Sequence, residues 1–189
     1  MVLHPLAGVV RTCASAQNKR PITRLSQQKL PAGLLQRAQL QRLADVVTAR
    51  LQRFGTSTDR FGLVHADLRL ANLLVDGQAI QVIDFDDCGF SWYLYDLACA
   101  LTFNEGHADA DELIAGWVEA YRTVEPMSAA DEAEIPTFPM LRRLMLSAYV
   151  GLRPDTEMAE ELARNRFAAE TCGLAEVYLS RFAAGTPAP

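Results

Sequence analysis

Two short apolar runs, Leu73-Leu74-Val75 and Ile80-x-Val82-Ile83, are separated by Asp76-Gly77. They are too short for helices and are joined by a strong turn signal, so they predict a β-hairpin. A third run, Phe61 to Val64, reads as a strand that leads into His65. Polar residues gather where these runs end. His65, Asp67, Arg69 and Asn72 precede the hairpin, and Asp84, Asp86 and Asp87 follow it. The strand ends of a tight hairpin converge on one edge, which brings an amide and several carboxylates together.

The rest of the chain has a different period. Leu40, Leu43, Val47, Leu51 and Phe54 recur at spacings of three and four, and Gly55 is placed to stop that helix. After Gly89 the pattern reads as helical to the end. Asp96 to Phe103 is one segment, and Leu113, Ile114, Trp117, Tyr121 and Val124 form an amphipathic face in the next. Ser128-x-x-Asp131 is a capping-box signature before a short helix broken at Pro136. Leu141, Leu144, Met145, Ala148 and Tyr149 mark another helix, and a long segment from about Asp155 to Phe182 closes the pattern. The expected class is α+β, mostly helical, with one short hairpin that carries the catalytic and metal residues.

Charge is unevenly spread. Residues 1–60 carry a net +8 and residues 61–189 a net −13. Residues 1–33 show no sustained period and contain Pro5, Pro21, Pro31 and Gly33, so they read as an irregular basic leader. Aromatic residues do not interleave its basic ones as a nucleic-acid stacking surface requires, so no nucleic-acid partner is expected. The first residues are apolar over too short a stretch, and lack a basic start, for a secretory signal. No apolar run reaches the length of a membrane span. Cys13, Cys88, Cys99 and Cys172 are scattered without a CxxC pair, which argues against structural zinc and for reduced thiols in a cytoplasmic protein.

Oxygen ligands from Asn and Asp, without sulfur, suit a hard cation such as Mg2+. Asp67 lies five positions before Asn72, far enough to face a hydroxyl while others hold the ion. Phosphoryl transfer needs that division of labour. The stretch HADLRLAN, then IDFDD, then YDLA resembles the catalytic core of the aminoglycoside phosphotransferase and choline kinase family, small-molecule relatives of the protein kinases. The resemblance covers about residues 34–182 and is strongest over 61–98. It implies a protein-kinase-like C-terminal lobe over residues 34–189. The implied activity moves the γ-phosphate of ATP, with Mg2+, to an alcohol group of a small metabolite or aminoglycoside-like substrate.

The resemblance also implies roles. Asp67 would be the catalytic base, and Asn72 and Asp84 would hold Mg2+ and the nucleotide phosphates, with Asp86 as a further metal contact. Arg69 stands where protein kinases keep a phosphate-touching Lys and would serve catalysis and ATP binding. His65 and Asp96 would be structural supports. Trp92, Tyr93 and Tyr95 are expected to pack under the loop rather than line an acceptor pocket, and Cys88 and Cys99 to be small core residues. The acidic stretch 104–136, with nine acids against Arg122, would suit an amine-bearing alcohol, although a solvated helix face explains it as well.

The chain's two lysines, Lys19 and Lys29, sit on no strand of the kind that clamps ATP, and no glycine-rich loop precedes residue 55. The nucleotide-clamping lobe is therefore expected to be absent, as in a truncated form, with weak ATP binding and little or no turnover. An apolar cleft floor left open by that absence would favour a homodimer. Two other readings stay open. One is a non-catalytic, kinase-like remnant that acts as a binding or interaction module. The other is a metal-dependent phosphohydrolase, which the DFDD string suggests but which lacks the Thr such a motif requires, having Cys88 and Gly89 there.

Overall fold

A computed structural model describes residues 34–77, 79–164 and 166–183. The basic leader lies outside the described residues. The described chain falls into two compact units, one of residues 56–139 and one of residues 34–55 with 140–183.

The first unit begins with β1 (Phe61–Val64), followed by a 3-10 turn (Leu70–Asn72), β2 (Leu73–Asp76), β3 (Ala79–Val82), β4 (Gly89–Trp92) and α2 (Leu94–Ala100). Next come α3 (Ala110–Arg122) and α4 (Ala129–Glu134). β2 and β3 form the expected antiparallel hairpin, with Leu73 opposite Val82 and Val75 opposite Ile80. Asp76 pairs with Ala79, so Gly77 takes the first loop position, at φ +59 where a side chain would be strained.

β4 corrects the expectation that everything after Gly89 is helical. It pairs antiparallel with β1, Phe61 opposite Trp92 and Val64 opposite Gly89. Four residues are too few to show a period, and the burial of Trp92 decides the matter. Its ring meets Phe61 edge-on at 5.5 Å and Phe138 at 6.1 Å. The following helix runs over Leu94–Ala100 rather than to Phe103, and Phe103 itself adopts φ +71. Leu94, Tyr95, Leu97, Ala98 and Cys99 are buried. Each of the two leucines contributes about 1.5–3 kcal/mol of burial.

In α3 the buried apolar residues are Ala110 and Val118, neither of them in the expected stripe, while Leu113 is exposed and Val124 lies beyond the helix. The capping box before α4 forms as expected, Ser128 Oγ accepting from Asp131 N at 3.1 Å. Arg60 Nε reaches Asp131 at 2.7 Å, tying the start of β1 to α4.

In the second unit α1 (Leu34–Phe54) buries the predicted Leu40, Leu43, Val47, Leu51 and Phe54. It ends at Gly55, φ +79, whose N–H donates to Leu51 O. α5 (Thr137–Leu152) starts in the first unit and contributes most of its length here. The expected long final segment is two helices, α6 (Glu157–Arg164) and α7 (Phe167–Phe182), broken where Arg166 takes φ +56. α7 lies along α1, and Gln39 Nε2 donates to Cys172 O at 3.0 Å. Arg143 is fully buried. It donates to Thr171 Oγ1 at 3.0 Å and Glu170 Oε2 at 2.7 Å, and lies 4.2 Å above the Phe167 ring. Among the described residues no helix is long and apolar enough to cross a membrane. Cys99 and Cys172 are buried thiols, whereas Cys88 is disulfide-bonded, which corrects the expectation of a reduced thiol there.

Candidate active site

The site occupies two segments of the first unit. Residues 65–72 lead from β1 into β2, and residues 83–88 lead from β3 back into β4. The hairpin is thus the excursion between them, and both segments run side by side at its base. Ile83 N donates to Asn72 O at 3.0 Å, which extends the ladder beyond Leu73 and Val82 and places Ile83 opposite Asn72, with Asp84 the next residue along the chain. His65 Nε2 meets Ile83 O at 2.9 Å, and its ring lies 4.6 Å from that of Phe85.

The loop before Asp67 is held by α2. Asp96 Oδ2 accepts from His65 N at 2.9 Å, and Asp96 Oδ1 from Ala66 N at 2.8 Å. Ala66 takes φ +66, the left-handed region that costs an ordinary residue about 1–2 kcal/mol. Asp67 N then points at His65 Nδ1, 3.3 Å away. Because Nδ1 accepts, the proton sits on Nε2, which donates to Ile83 O. Neutral imidazole in this one tautomer satisfies both contacts.

Asp67, Asn72 and Arg69 form a single network. Asn72 Nδ2 donates to Asp67 O at 2.8 Å and to Asp67 Oδ2 at 3.1 Å. Arg69 Nε donates to the same Oδ2 at 3.0 Å. Asp67 and Asn72 are buried, and Arg69 is partly exposed. Two acceptors facing one Asn nitrogen fix the amide orientation, so Asn72 Oδ1 is the atom turned away from Asp67.

The donor set suits a hard divalent cation. The Asn72 amide and the exposed Asp84 carboxylate offer oxygen donors, without thiolate or imidazole. Asp84 holds φ +63, a conformation Asp tolerates better than most residues. Asp86 and Asp87 are exposed in the turn that follows. Among the described residues there is no group of three or more His, Cys, Asp or Glu side chains able to hold a metal. The candidate set here is one amide with two carboxylates. Trp92 and Tyr95 are buried in packing, and Tyr93 donates to Thr58 O at 3.1 Å.

Two features of this site were not legible in the sequence. Nothing marks Ala66 as a left-handed residue, since alanine has no preference for that region. Cys99, read as a small core residue, donates its thiol to Ala66 O at 3.1 Å. Its spacing of three from Asp96, on one helix face, was the available signal.

This fold is that of the kinase-like phosphotransferases. The chain belongs to the phosphotransferase enzyme family, APH, whose pattern matches residues 14–133. It is 30% identical over 112 residues to the amicoumacin kinase of Bacillus subtilis (strain 168), covering 54% of this chain and 33% of that protein. The solved structure of the microcompartment-associated aminopropanol kinase superposes with a TM-score of 0.71 at 44% identity, over 82% of this chain and 48% of that one. An amicoumacin kinase in complex with AMP-PNP, Ca2+ and Ami superposes with a TM-score of 0.60 at 28% identity, over 80% and 48%. The chain spans about half the length of these solved relatives and a third of the curated one.

Proposed function

We propose that residues 34–183 form the larger lobe of an ATP- and Mg2+-dependent small-molecule kinase whose acceptor is an amine-bearing alcohol. The observation that carries this reading is the Asp67–Asn72–Arg69 network, with Asp84 directly following Ile83, whose N–H donates to Asn72 O. Asp67 orients the acceptor hydroxyl and takes its proton as the oxygen bonds to the γ-phosphorus and the bond to ADP breaks. Arg69 steadies Asp67 through Nε and turns its remaining guanidinium N–H groups toward phosphate oxygens. Asn72 Oδ1, Asp84 and Asp86 would hold the cation. When bound, Mg2+ neutralises charge on the phosphates. His65 and Asp96 keep the loop in place.

The acceptor class is supported by the acidic stretch 104–136 and by the aminopropanol kinase as a solved relative. Residues 34–183 contain no lysine, so beyond Arg69 this lobe does not supply the further charge-assisted phosphate contact, worth about 1.5–3 kcal/mol, that a clamping lysine gives. Calorimetry with Mg2+ is expected to show ATP binding weaker than micromolar. Leu74, Val75 and Ile80 are exposed on the hairpin, which supports self-association, to be checked by light scattering. The expected compartment is the cytoplasm.

The test is 31P NMR of the chain incubated with ATP, Mg2+ and aminopropanol. Phosphoryl transfer should fall about 100-fold or more in Asp67→Asn, the usual scale for losing a general base. Equal turnover in Asp67→Asn and the parent removes the assignment. ATP binding without transfer in either favours the binding-module reading.

A further inference from the structure

We propose that Cys99 is a positioning residue for Asp67, acting through the peptide that joins it to Ala66. The proposal rests on the phosphotransfer reading for its significance, but not for its geometry. Cys99 is fully buried on α2, three residues after Asp96. Its Sγ–H donates to Ala66 O at 3.1 Å. Asp96 holds the N–H groups of His65 and Ala66 from the same helix. One face of α2 therefore grips Ala66 at both ends. The carboxylate fixes its N–H, and the thiol fixes its C=O.

This grip bears on Asp67 directly. The φ and ψ of Ala66 decide where the chain points as it enters Asp67, and Ala66 sits at φ +66, where alanine stays only if held. The Ala66 carbonyl and the Asp67 N–H belong to the same peptide plane. Cys99 anchors the oxygen, and His65 Nδ1 faces the N–H at 3.3 Å. With that plane fixed, the Asp67 carboxylate lies where Arg69 Nε and Asn72 Nδ2 reach it. A residue that only filled space at position 99 would not need a donor there. The thiol supplies one, as a weak donor in a site without water competition.

The experiment compares Cys99→Ala and Cys99→Ser with the parent in the full 189-residue chain. It uses amide hydrogen exchange at Asp67 and the 13C chemical shift of the Asp67 carboxyl at one fixed pH. Cys99→Ala should speed exchange at the Asp67 amide about tenfold more than at remote α3 amides such as Val118, and should move the carboxyl resonance. Cys99→Ser keeps a donor and should restore both. Unchanged exchange and resonance in Cys99→Ala, or failure of Cys99→Ser to restore them, overturns the proposal. If Cys99→Ala does not fold, Cys99→Ser decides: Asp67 exchange within about twofold of the parent supports the proposal, and loss of protection there overturns it. Neither readout needs turnover. Failure of the Asp67→Asn assay would therefore remove the phosphotransfer reading and leave this result standing.

Discussion

Asp96→Ala is the sharpest perturbation of the loop over residues 65–72 that leaves every loop residue in place. The Asp96 carboxylate accepts two backbone N–H groups, at 2.9 and 2.8 Å. Hydrogen bonds to a charged acceptor contribute about 1.5–3 kcal/mol each, so losing both is worth up to about 6 kcal/mol. Asp96 is only half-buried, so water replaces part of what the carboxylate gave, and the expected cost is about 3 kcal/mol. That is a large share of the roughly 5–15 kcal/mol that holds a domain together. Asp96→Asn keeps one acceptor oxygen but turns an NH2 toward the other N–H, so it should cost about half as much. Urea unfolding followed by circular dichroism and by tryptophan fluorescence measures both variants. The slope with denaturant should match the parent, so that the midpoint alone moves. A cost below about 1 kcal/mol for Asp96→Ala, or an Asn variant as stable as the parent, would refute the view that this side chain holds the strained turn.

Other expectations are as specific. A Cβ at Gly62 would lie 2.8 Å from Tyr93 Cε1 and 2.9 Å from its Cζ. Gly62→Ala should therefore cost about 1–3 kcal/mol in thermal unfolding, and less in a Tyr93→Ala background; equal costs in both would exclude the clash. Arg143→Ala should cost about 3–5 kcal/mol by stripping Glu170 and Thr171 of their buried partner, whereas Glu170→Gln, at an exposed side chain, should cost about 1 kcal/mol or less; similar costs for the two would contradict the burial argument. Burial raises the Cys172 thiol above its ordinary range, and burial, then the neighbouring Tyr93, Glu125, Asp131 and Asp59, raises the Tyr121 phenol. Both groups favour their neutral form when folded, so their contribution is complete below about pH 8.5 and is lost as pH rises through the folded values. Urea midpoints should fall above that pH with a shallower slope in Cys172→Ala, and an identical slope there would rule out the thiol's part.

The sequence carried most of what places the site, for physical reasons. Asp76-Gly77 between β-rich runs, and a helix whose Leu43, Val47 and Leu51 recur on one face, are local signals that tertiary packing reinforces. β4 was missed because Gly89–Trp92 is too short to show alternation and becomes a strand only by pairing with β1, about thirty residues earlier. The break between α6 and α7 was missed because Arg166, a residue without preference for positive φ, makes the turn. Within the site, the spacing of His65, Asp67, Asn72 and Asp84 was readable from the residues alone. The contacts that fix the Asp67 backbone come from α2, and a spacing rule does not extend to a thiol meeting a carbonyl 33 residues away.

The placement of the hairpin between the two site-bearing segments has an outcome for how this fold can vary. Both crossings at its base are pinned, one through Asn72 and Ile83 and the other through His65 and Ile83. Its far end, at Asp76 and Gly77, is exposed. Lengthening the ribbon by an even number of residues, matched on both strands, keeps every side chain on its face and leaves the base untouched. The tip is the natural graft point in this unit, where an added peptide or tag changes its outline without disturbing the candidate site residues.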